Sequence, residues 1–299
     1  MKNFIPLLLF LLLAQTTMAQ KTVPLYSESI PNSKPSKDEE FTDTLKGGIL
    51  IVHKISRPTL TIYLPEHPAP GKQAMIIFPG GGYFINATSH EGHDVAKELA
   101  KNGIAAFVVK YRIPDTATMV NKEIGPLQDA QQAILTVRSN AKKWNINPLK
   151  IGVMGFSAGG HLASTLATHY QKSLIPNPEK VSLRPDFLGL IYPVISFKDS
   201  VGHMGSRAQL IGPLISAEKI DEYSNELHVD KDTPPSFLVH AKDDPIKIEN
   251  SLVFIEALKK FKIPYETVFF EKGGHGYGMI NPTTEVKWMD QFIPWIKNH

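Results

Sequence analysis

Apolar positions follow two patterns that alternate along most of the chain. Continuous apolar runs of strand length predict strands buried on both faces, as in a parallel sheet. These runs are AMIIFP, AAFVVKY, IGVMGF, FLGLIYPVI and SFLVHA. Segments with apolar residues three and four apart predict amphipathic helices, and they are HEGHDVAKELAKNG, PLQDAQQAILTVRSNAKKW, IENSLVFIEALKKFK and TTEVKWMDQFIPWIK. The alternation predicts an α/β fold with a mostly parallel central sheet and helices on both faces.

The segment before the first buried run has a different pattern. GILIVHKIS and PTLTIYLP alternate in polarity and are rich in β-branched residues, so they predict a pair of antiparallel strands. Residues 20–46 are rich in Pro, Ser and charge and predict an extended N-terminal arm, with regular structure starting at Gly47. We therefore expect one domain over residues 47–299.

The first residues have the pattern of an export signal. Lys2 precedes an apolar run from Phe4 to Ala14, and small residues follow at Thr17 and Ala19. The run is too short to span a bilayer, so we predict a signal peptide at residues 1–19, removed after Ala19, rather than an uncleaved membrane tether. The chain has no cysteine, which excludes disulfides and a lipid-modified N-terminus. We expect a secreted or periplasmic protein without a membrane anchor after cleavage.

The charge of the chain gives no sign of a nucleic-acid partner. The formal net charge is +3, and Lys and Arg do not form a block. A basic patch or stripe is the usual electrostatic footprint of nucleic-acid binding. We therefore expect no nucleic acid among the partners.

Ser157 is the strongest candidate for chemistry. It lies in GFSAGG, between a predicted strand and a predicted helix, where Gly155 and Gly159 allow a sharp turn with close chain contacts. The N-terminus of the following helix directs free N–H groups and a positive dipole end toward the serine. An ordinary turn serine is the alternative, but this context favours a nucleophile.

Three glycines follow the predicted strand AMIIF, in the sequence FPGGGY. Acyl transfer needs backbone N–H donors about 3 Å from the developing oxyanion. We predict that Gly81, Gly82 and Ala158 supply them. A phosphate-binding loop is the alternative, but no GxxxxGK or GxGxxG spacing is present.

Candidates for the acid and the histidine of a catalytic triad follow Ser157 along the chain. Asp243 and Asp244 come just after the strand SFLVHA, and His275 lies in the glycine-rich loop EKGGHGYG. The order Ser, Asp, His is that of α/β-hydrolases, although either aspartate taken alone also fits a solvated acidic turn. His90 and His93 lie one turn apart, but without an HExxH motif we predict no metal site.

The motifs together resemble the esterase/lipase group of α/β-hydrolases, in its secreted bacterial acetylxylan or feruloyl esterase-like branch. The residues that carry this resemblance are FPGGGY, YRIP, PLQDAQQAILTVRSNAKKW, GFSAGGHLA, HAKDDPI and GGHGYG, and the match runs from about Gly47 to His299. Its HxxxDP pattern implies that the acid is Asp244, directly before Pro245. It also implies a serine esterase that needs no metal or cofactor.

The acyl group follows from a weaker pattern. A segment of about 40 residues between Ile195 and Ser236 is expected to shape the pocket, and its only aromatics are Phe197 and Tyr223. We therefore predict a small-molecule or polysaccharide-borne acetyl ester, with hemicellulose deacetylation favoured over feruloyl ester hydrolysis. Tyr83 and Tyr277 are predicted to bind substrate, and Phe84 also lies near the glycines. A serine exopeptidase of the prolyl-oligopeptidase type and a non-catalytic hydrolase-fold binding protein remain alternatives.

Overall fold

A central sheet of eight strands runs through the computed structural model, which describes residues 20–213 and 215–299. The predicted signal peptide, residues 1–19, lies outside the described residues. In chain order the strands are β1 (Lys21–Pro24), β2 (Phe41–Leu45), β3 (Ile49–His53), β4 (Thr59–Tyr63), β5 (Ala74–Phe78), β6 (Ile85–Asn86), β7 (Ala105–Lys110), β8 (Ile151–Phe156), β9 (Leu188–Ile191), β10 (Ser236–Ala241) and β11 (Tyr265–Phe270). The order in the large sheet is β1-β4-β7-β5-β8-β9-β10-β11, and β2, β3 and β6 form a separate small sheet. In this order the strands from β7 to β11 are all parallel, as predicted for β7, β5, β8, β9 and β10, whereas no strand was predicted at β11.

Helices cover both faces of the large sheet. They are α1 (Asp94–Lys101), α2 (Gly125–Ser139), α3 (Ala158–His169), α4 (Met204–Ile211), α5 (Ala217–Glu222), α6 (Glu249–Lys260) and α7 (Met289–Asn298). Alternate residues of one strand enter different cores: Ile76 of β5 packs in the cluster that contains Ile134 of α2, and Ile77 packs with Leu99 of α1. This alternation is the reason that the central strands are apolar at every position.

The antiparallel edge of the sheet is built differently from the predicted pair. β4 pairs antiparallel with β1 and β7, whereas β3 pairs antiparallel with β2 and β6 in the small sheet. The antiparallel edge is therefore confirmed, but the prediction that β3 and β4 pair with each other is wrong. Both segments have the alternation of a half-buried strand, and that pattern does not specify the partner.

Residues 20–46 contain two strands, so the expectation that regular structure starts only at Gly47 is wrong. Side-chain contacts with distant residues also hold this segment in place. Arg112, buried in an ion pair with Asp129, donates from Nη1 to the carbonyl oxygen of Pro31 and to Ser33 Oγ. These partners lie about 80 positions away, so local composition could not predict them.

Candidate active site

Ser157 lies on the turn between β8 and α3, with φ 51° and ψ −120°. This conformation is rare for a residue with a side chain and is typical of strained functional turns. A Cβ atom on Gly155 would lie 2.0 Å from the carbonyl oxygen of Gly159, and one on Gly159 would lie 2.1 Å from that of Phe78. Only glycine fits at either position, so the flanking glycines make the turn possible.

Ser157, His275 and Asp244 form one hydrogen-bonded row. Ser157 Oγ lies 2.9 Å from His275 Nε2, and His275 Nδ1 lies 2.8 Å from Asp244 Oδ2. A carboxylate only accepts, so His275 Nδ1 carries the proton and Nε2 is free to accept the proton of the serine. The row therefore has the geometry that a histidine base needs to activate a serine.

The two neighbouring aspartates have different surroundings. Asp244 is 6% exposed, and its Oδ1 accepts a hydrogen bond of 2.7 Å from the N–H of Ile246. Asp243 is exposed, and its Oδ1 accepts from the N–H of Gly274, beside His275. Asp244 thus contacts the imidazole, whereas Asp243 holds the backbone of the loop that carries it.

A second histidine, the first residue of the HxxxDP pattern, lies behind Asp244, and the sequence alone gave it no role. His240 is fully buried, its Nε2 donates to the carbonyl oxygen of Ile246, and its Nδ1 lies 2.8 Å from Ser251 Oγ. Burial lowers the pKa of His240, so the ring stays neutral at pH 7. It supports the loop after β10 without adding a competing positive charge next to Asp244.

Backbone N–H donors lie close to Ser157, in the glycine loop that lines its cavity and at the start of α3. Within the described residues, no hydrogen-bond partner is found for the N–H groups of Gly81, Gly82 and Ala158. Ala158 is the first residue of α3, and N–H groups of a first helical turn have no partner inside the helix. The N–H of Gly80, in contrast, is used in a hydrogen bond of 2.7 Å to Glu91 Oε2. Two N–H donors in the glycine loop and one at the start of α3 are therefore available to an oxyanion.

The cavity at Ser157 has a volume of about 490 Å³ and is mostly aliphatic apart from the reacting groups. Phe, Tyr and Trp are absent from its lining within the described residues. Among the described residues between β9 and β10, His203 alone lines the cavity, and burial followed by the charge of His275 lowers its pKa. The lining residues are Leu45, Ile49, Ile51, Gly81, Gly82, Ile85, Ala87, His90, Glu91, Ser157, His203, Pro245, Ile246, His275 and Gly276.

The two tyrosines predicted to bind substrate lie outside this cavity. Tyr83 is 1% exposed, with φ 63°, and its hydroxyl lies 2.9 Å from His161 Nδ1. Tyr277 is half-buried against Tyr192 and Phe270. For Tyr83 the prediction needs correction, because its left-handed backbone conformation turns the side chain into the core.

A buried bridge joins the glycine loop to the histidine loop, and the sequence analysis missed it. Glu91 Oε2 accepts from the N–H of Gly80, and Glu91 Oε1 accepts a hydrogen bond of 2.8 Å from the hydroxyl of Tyr192. That hydroxyl accepts in turn from the N–H of Gly278, at 2.9 Å. Burial and the adjacent carboxylate raise the pKa of Tyr192, so the hydroxyl keeps its proton. The bridge fixes the two loops relative to each other.

Residues 20–213 and 215–299 contain neither a cluster of metal-binding side chains nor a membrane-spanning helix. In that part of the chain, no group of three or more His, Cys, Asp or Glu side chains is placed to hold a metal ion. No helix there combines the length and the apolar character needed to cross a membrane.

A family model, BD-FAE, matches residues 60–258, which is more than half of the chain. The chain belongs to the BD-FAE family. The matched range contains the glycine loop, Ser157 and Asp244, and it ends before His275. The resemblance inferred from the motifs to this branch of the α/β-hydrolases is confirmed.

Individual relatives agree with this membership. The BD-FAE chain is 34% identical over 248 residues to an acetylxylan esterase of Xylanibacter ruminicola, covering 80% of this chain and 48% of that protein. It is 36% identical over 228 residues to endo-1,4-beta-xylanase B of Butyrivibrio fibrisolvens, covering 75% of this chain and 35% of the other. The chain thus spans about half or less of the length of these curated relatives.

A solved structure matches almost end to end. The acetyl ester-xyloside bifunctional hydrolase of Caldicellulosiruptor lactoaceticus superposes with a TM-score of 0.78 at 36% identity. The match covers 93% of this BD-FAE chain and 96% of that one. The predicted α/β-hydrolase fold is therefore confirmed.

Proposed function

We propose that this protein is a serine carboxylic ester hydrolase with Ser157 as nucleophile, His275 as base and Asp244 as its orienting acid. One observation carries the proposal. The row Asp244–His275–Ser157, with spacings of 2.8 and 2.9 Å, ends in a cavity that Gly81 and Gly82 also line, and the N–H groups of these glycines have no partner among the described residues. Nucleophile, base and oxyanion donors are the parts that acyl transfer needs, and they meet at one point.

The mechanism follows from the roles of these atoms. Ser157 Oγ attacks the ester carbonyl carbon while His275 Nε2 accepts the serine proton, and the N–H groups of Gly81, Gly82 and Ala158 hold the oxyanion. His275 then gives its proton to the departing alcohol, which leaves an acyl-serine. Water, deprotonated by the same nitrogen, attacks the acyl carbon, and the acid leaves as Ser157 regains its proton. Asp244 stabilises the imidazolium in both halves, and no step needs a metal or cofactor.

We further propose that the substrate is an acetyl ester on a xylan-type hemicellulose. The names of the relatives, an acetylxylan esterase and an acetyl ester-xyloside hydrolase, support this class. The aliphatic lining of the cavity supports a short acyl group over an aromatic one, because a feruloyl group gains most from an aromatic-lined slot. Feruloyl ester hydrolysis is the second candidate, because the resemblance of the sequence motifs covers both activities.

Export remains part of the proposal. A leader at residues 1–19, removed after Ala19, would leave Gln20 as the first residue, and β1 begins directly after it at Lys21. Cleavage at that point would therefore keep the edge strand intact. A secreted or periplasmic enzyme would meet a polysaccharide that the cell cannot take up whole.

The test compares acyl groups on one carrier. Acetyl, butyryl and feruloyl esters of the same xylo-oligosaccharide are incubated with the enzyme, and kcat/KM is measured from release of each acid. We expect the acetyl ester to have the highest value, followed by the butyryl ester. A value for the feruloyl ester equal to or above that of the acetyl ester would contradict the proposed acyl group while leaving the serine mechanism intact. Cleavage of peptides but of none of these esters would instead favour an exopeptidase.

A further inference from the structure

A second cavity, of about 420 Å³, lies beside the one at Ser157 and has no role in the proposed chemistry. The N-terminal segment, the small sheet and the loop after β7 surround it. Its lining combines rings, hydroxyl groups and an amide, and it consists of Ser36, Lys37, Glu39, Phe41, His53, Lys54, Ile55, Ser56, Phe84, Ile113, Asp115, Ala117, Thr118 and Gln209.

Two aromatic rings of this cavity are open to solvent. Phe41 is 49% exposed and Phe84 is 54% exposed, although rings of this size are among the side chains that gain most from burial. Phe41 is also held in place, because its ring stacks on His53 with centroids 4.4 Å apart and planes 3° apart. An exposed ring with a fixed orientation is a ready platform for a flat partner that has an apolar face.

Two polar atoms of the same cavity have no partner among the described residues. They are Ser56 Oγ and His53 Nε2, and both are buried. Buried polar atoms without a hydrogen bond are costly, so a ligand that supplies hydroxyl groups would remove this cost. A sugar has apolar C–H faces and hydroxyl groups around its edge. Exposed aromatic rings next to atoms that can form hydrogen bonds match both of these features.

The charges around the cavity are balanced. Lys37 and Lys54 are matched by Glu39 and Asp115, and Lys54 Nζ lies 2.9 Å from Glu39 Oε2. No single sign of charge is left to attract an anionic or a cationic polymer. The cavity therefore suits an uncharged ligand.

Strand register connects this cavity to Ser157. Phe41 of β2 pairs with His53 of β3, which pairs with Ile85 of β6, so all three side chains lie on one face of the small sheet. Ile49 and Ile51 share that face because they lie four and two residues before His53, and both line the cavity at Ser157. The face runs about 13 Å from His53 to Ile49, which is longer than one sugar ring.

We propose that the second cavity is a glycan subsite that binds uncharged sugar units of the polysaccharide adjoining the acetylated one. The proposal rests on the proposed substrate class. Phe41 and Phe84 stack on pyranose faces, Ser56 and His53 bond sugar hydroxyls, and the face of the small sheet guides the chain to Ser157. The N-terminal segment, which carries Phe41, is thereby part of the substrate site.

Binding of an ester-free glycan tests this subsite separately from catalysis. Calorimetric titration with 1,4-β-xylohexaose is carried out on the wild type, Phe41→Ala, Phe41→Leu and Ser56→Ala. Phe261→Ala is the matched control, since Phe261 is a 37% exposed ring at the end of α6, outside this cavity. Phe41→Leu removes the aromatic ring but keeps an apolar residue in β2. It therefore separates loss of the ring from loss of the β2–β3 pairing. The uncharged hexamer is compared with hexagalacturonate, which is anionic.

We expect xylohexaose to bind the wild type and Phe261→Ala equally, and both Phe41 variants about fivefold more weakly. Ser56→Ala should also bind more weakly, and hexagalacturonate should bind least. On acetylated xylohexaose, kcat/KM should fall in the Phe41 variants by a larger factor than it falls on 4-nitrophenyl acetate, and Phe261→Ala should match the wild type on both substrates.

Equal binding of xylohexaose by the wild type and the Phe41 variants, or no binding at all, would overturn the subsite. That result together with acetate release from acetylated xylohexaose would leave the proposed function standing. Conversely, a wild type that binds xylohexaose through Phe41 but releases no acetate would contradict the proposed substrate and keep the subsite.

Discussion

At the scale of single residues, neighbouring side chains of the same type do different work because their surroundings differ. Asp244 is buried against the imidazole of His275, whereas Asp243 is exposed and accepts from the backbone N–H of Gly274. In the proposed mechanism, the carboxylate of Asp244 fixes the tautomer in which His275 Nε2 accepts the serine proton.

Asparagine at each position separates these roles. Asp244→Asn should lower kcat by up to about four orders of magnitude, because the amide favours the wrong histidine tautomer. Asp243→Asn should lower kcat less than about tenfold, because its side-chain oxygen still accepts from Gly274. Both values come from steady-state hydrolysis of 4-nitrophenyl acetate. Losses in the reverse order would assign the acid to Asp243.

Local motifs predicted those residues of the candidate site that directly follow a predicted strand. Ser157 lies between a strand and a helix, and Asp244 lies just beyond a strand end, so each position follows from the element before it. The direction of Tyr83 depends on a positive φ that the sequence does not reveal. Glu91 and Tyr192 are 101 positions apart, so no local pattern could pair them.

At the scale of elements, the site depends on loops from different strands that are held at a fixed distance. The loop after β5 carries the glycine donors, and the loop after β11 carries His275. The bridge from Gly80 through Glu91 and Tyr192 to Gly278 joins them, and the Tyr192 ring also packs on the imidazole of His275, with centroids 5.0 Å apart. Its loss should therefore affect both stability and turnover.

Tyr192→Phe tests the bridge, since it removes one hydroxyl and leaves the ring in place. The Gly278 N–H and one Glu91 oxygen would lose their partner, so we expect about 1–3 kcal/mol less stability and a lower kcat with a smaller change in KM. Tyr26→Phe is the control, because the Tyr26 hydroxyl donates to Asp129, away from the cavity. Urea unfolding and acetate release measure the two effects. An equal fall in kcat for both variants would remove the positioning role from the bridge.

The prediction of strands succeeded where a long hydrophobic run marks a buried strand. It failed where a segment becomes a strand only through pairing with a neighbouring strand. The strands from β5 to β10 in the large sheet have apolar runs that only a buried strand explains. β11 has the mixed burial of a half-covered edge strand, and the sequence analysis did not assign it. β1 and β2 lie in a segment of mixed composition, and pairing with β4 and β3 makes them strands.

At the scale of the whole molecule, buried neutral histidines couple folding to pH. His161 is fully buried between the Tyr83 hydroxyl and the carbonyl oxygen of Tyr223, and burial lowers its pKa to about 4. Burial and then the charge of His228 lower the pKa of His169 to about 4. Between about pH 6.5 and pH 4 the unfolded chain binds protons that the folded chain does not. Stability is thus present above this range and is lost as the pH falls through it.

The contribution of His161 can be isolated with His161→Gln, which offers a donor and an acceptor but does not titrate. Between pH 7 and pH 5 the wild type should lose about 2 kcal/mol of unfolding free energy for each such histidine. The variant should lose about 2 kcal/mol less over the same range, whatever its stability at pH 7. Urea unfolding at the two pH values gives both differences. Identical pH dependence in the two proteins would show that His161 does not contribute.

The central claim is that Ser157 is an activated nucleophile, and covalent labelling tests it most directly. The wild type, Ser157→Ala and His275→Ala are treated with a fluorophosphonate, and intact mass followed by peptide mapping locates the adduct. An activated serine forms a stable phosphonate ester, whereas an ordinary turn serine does not react. We predict one adduct per chain, on Ser157, in the wild type and none in either variant. An unlabelled wild type, or an adduct that persists in Ser157→Ala, would contradict the account.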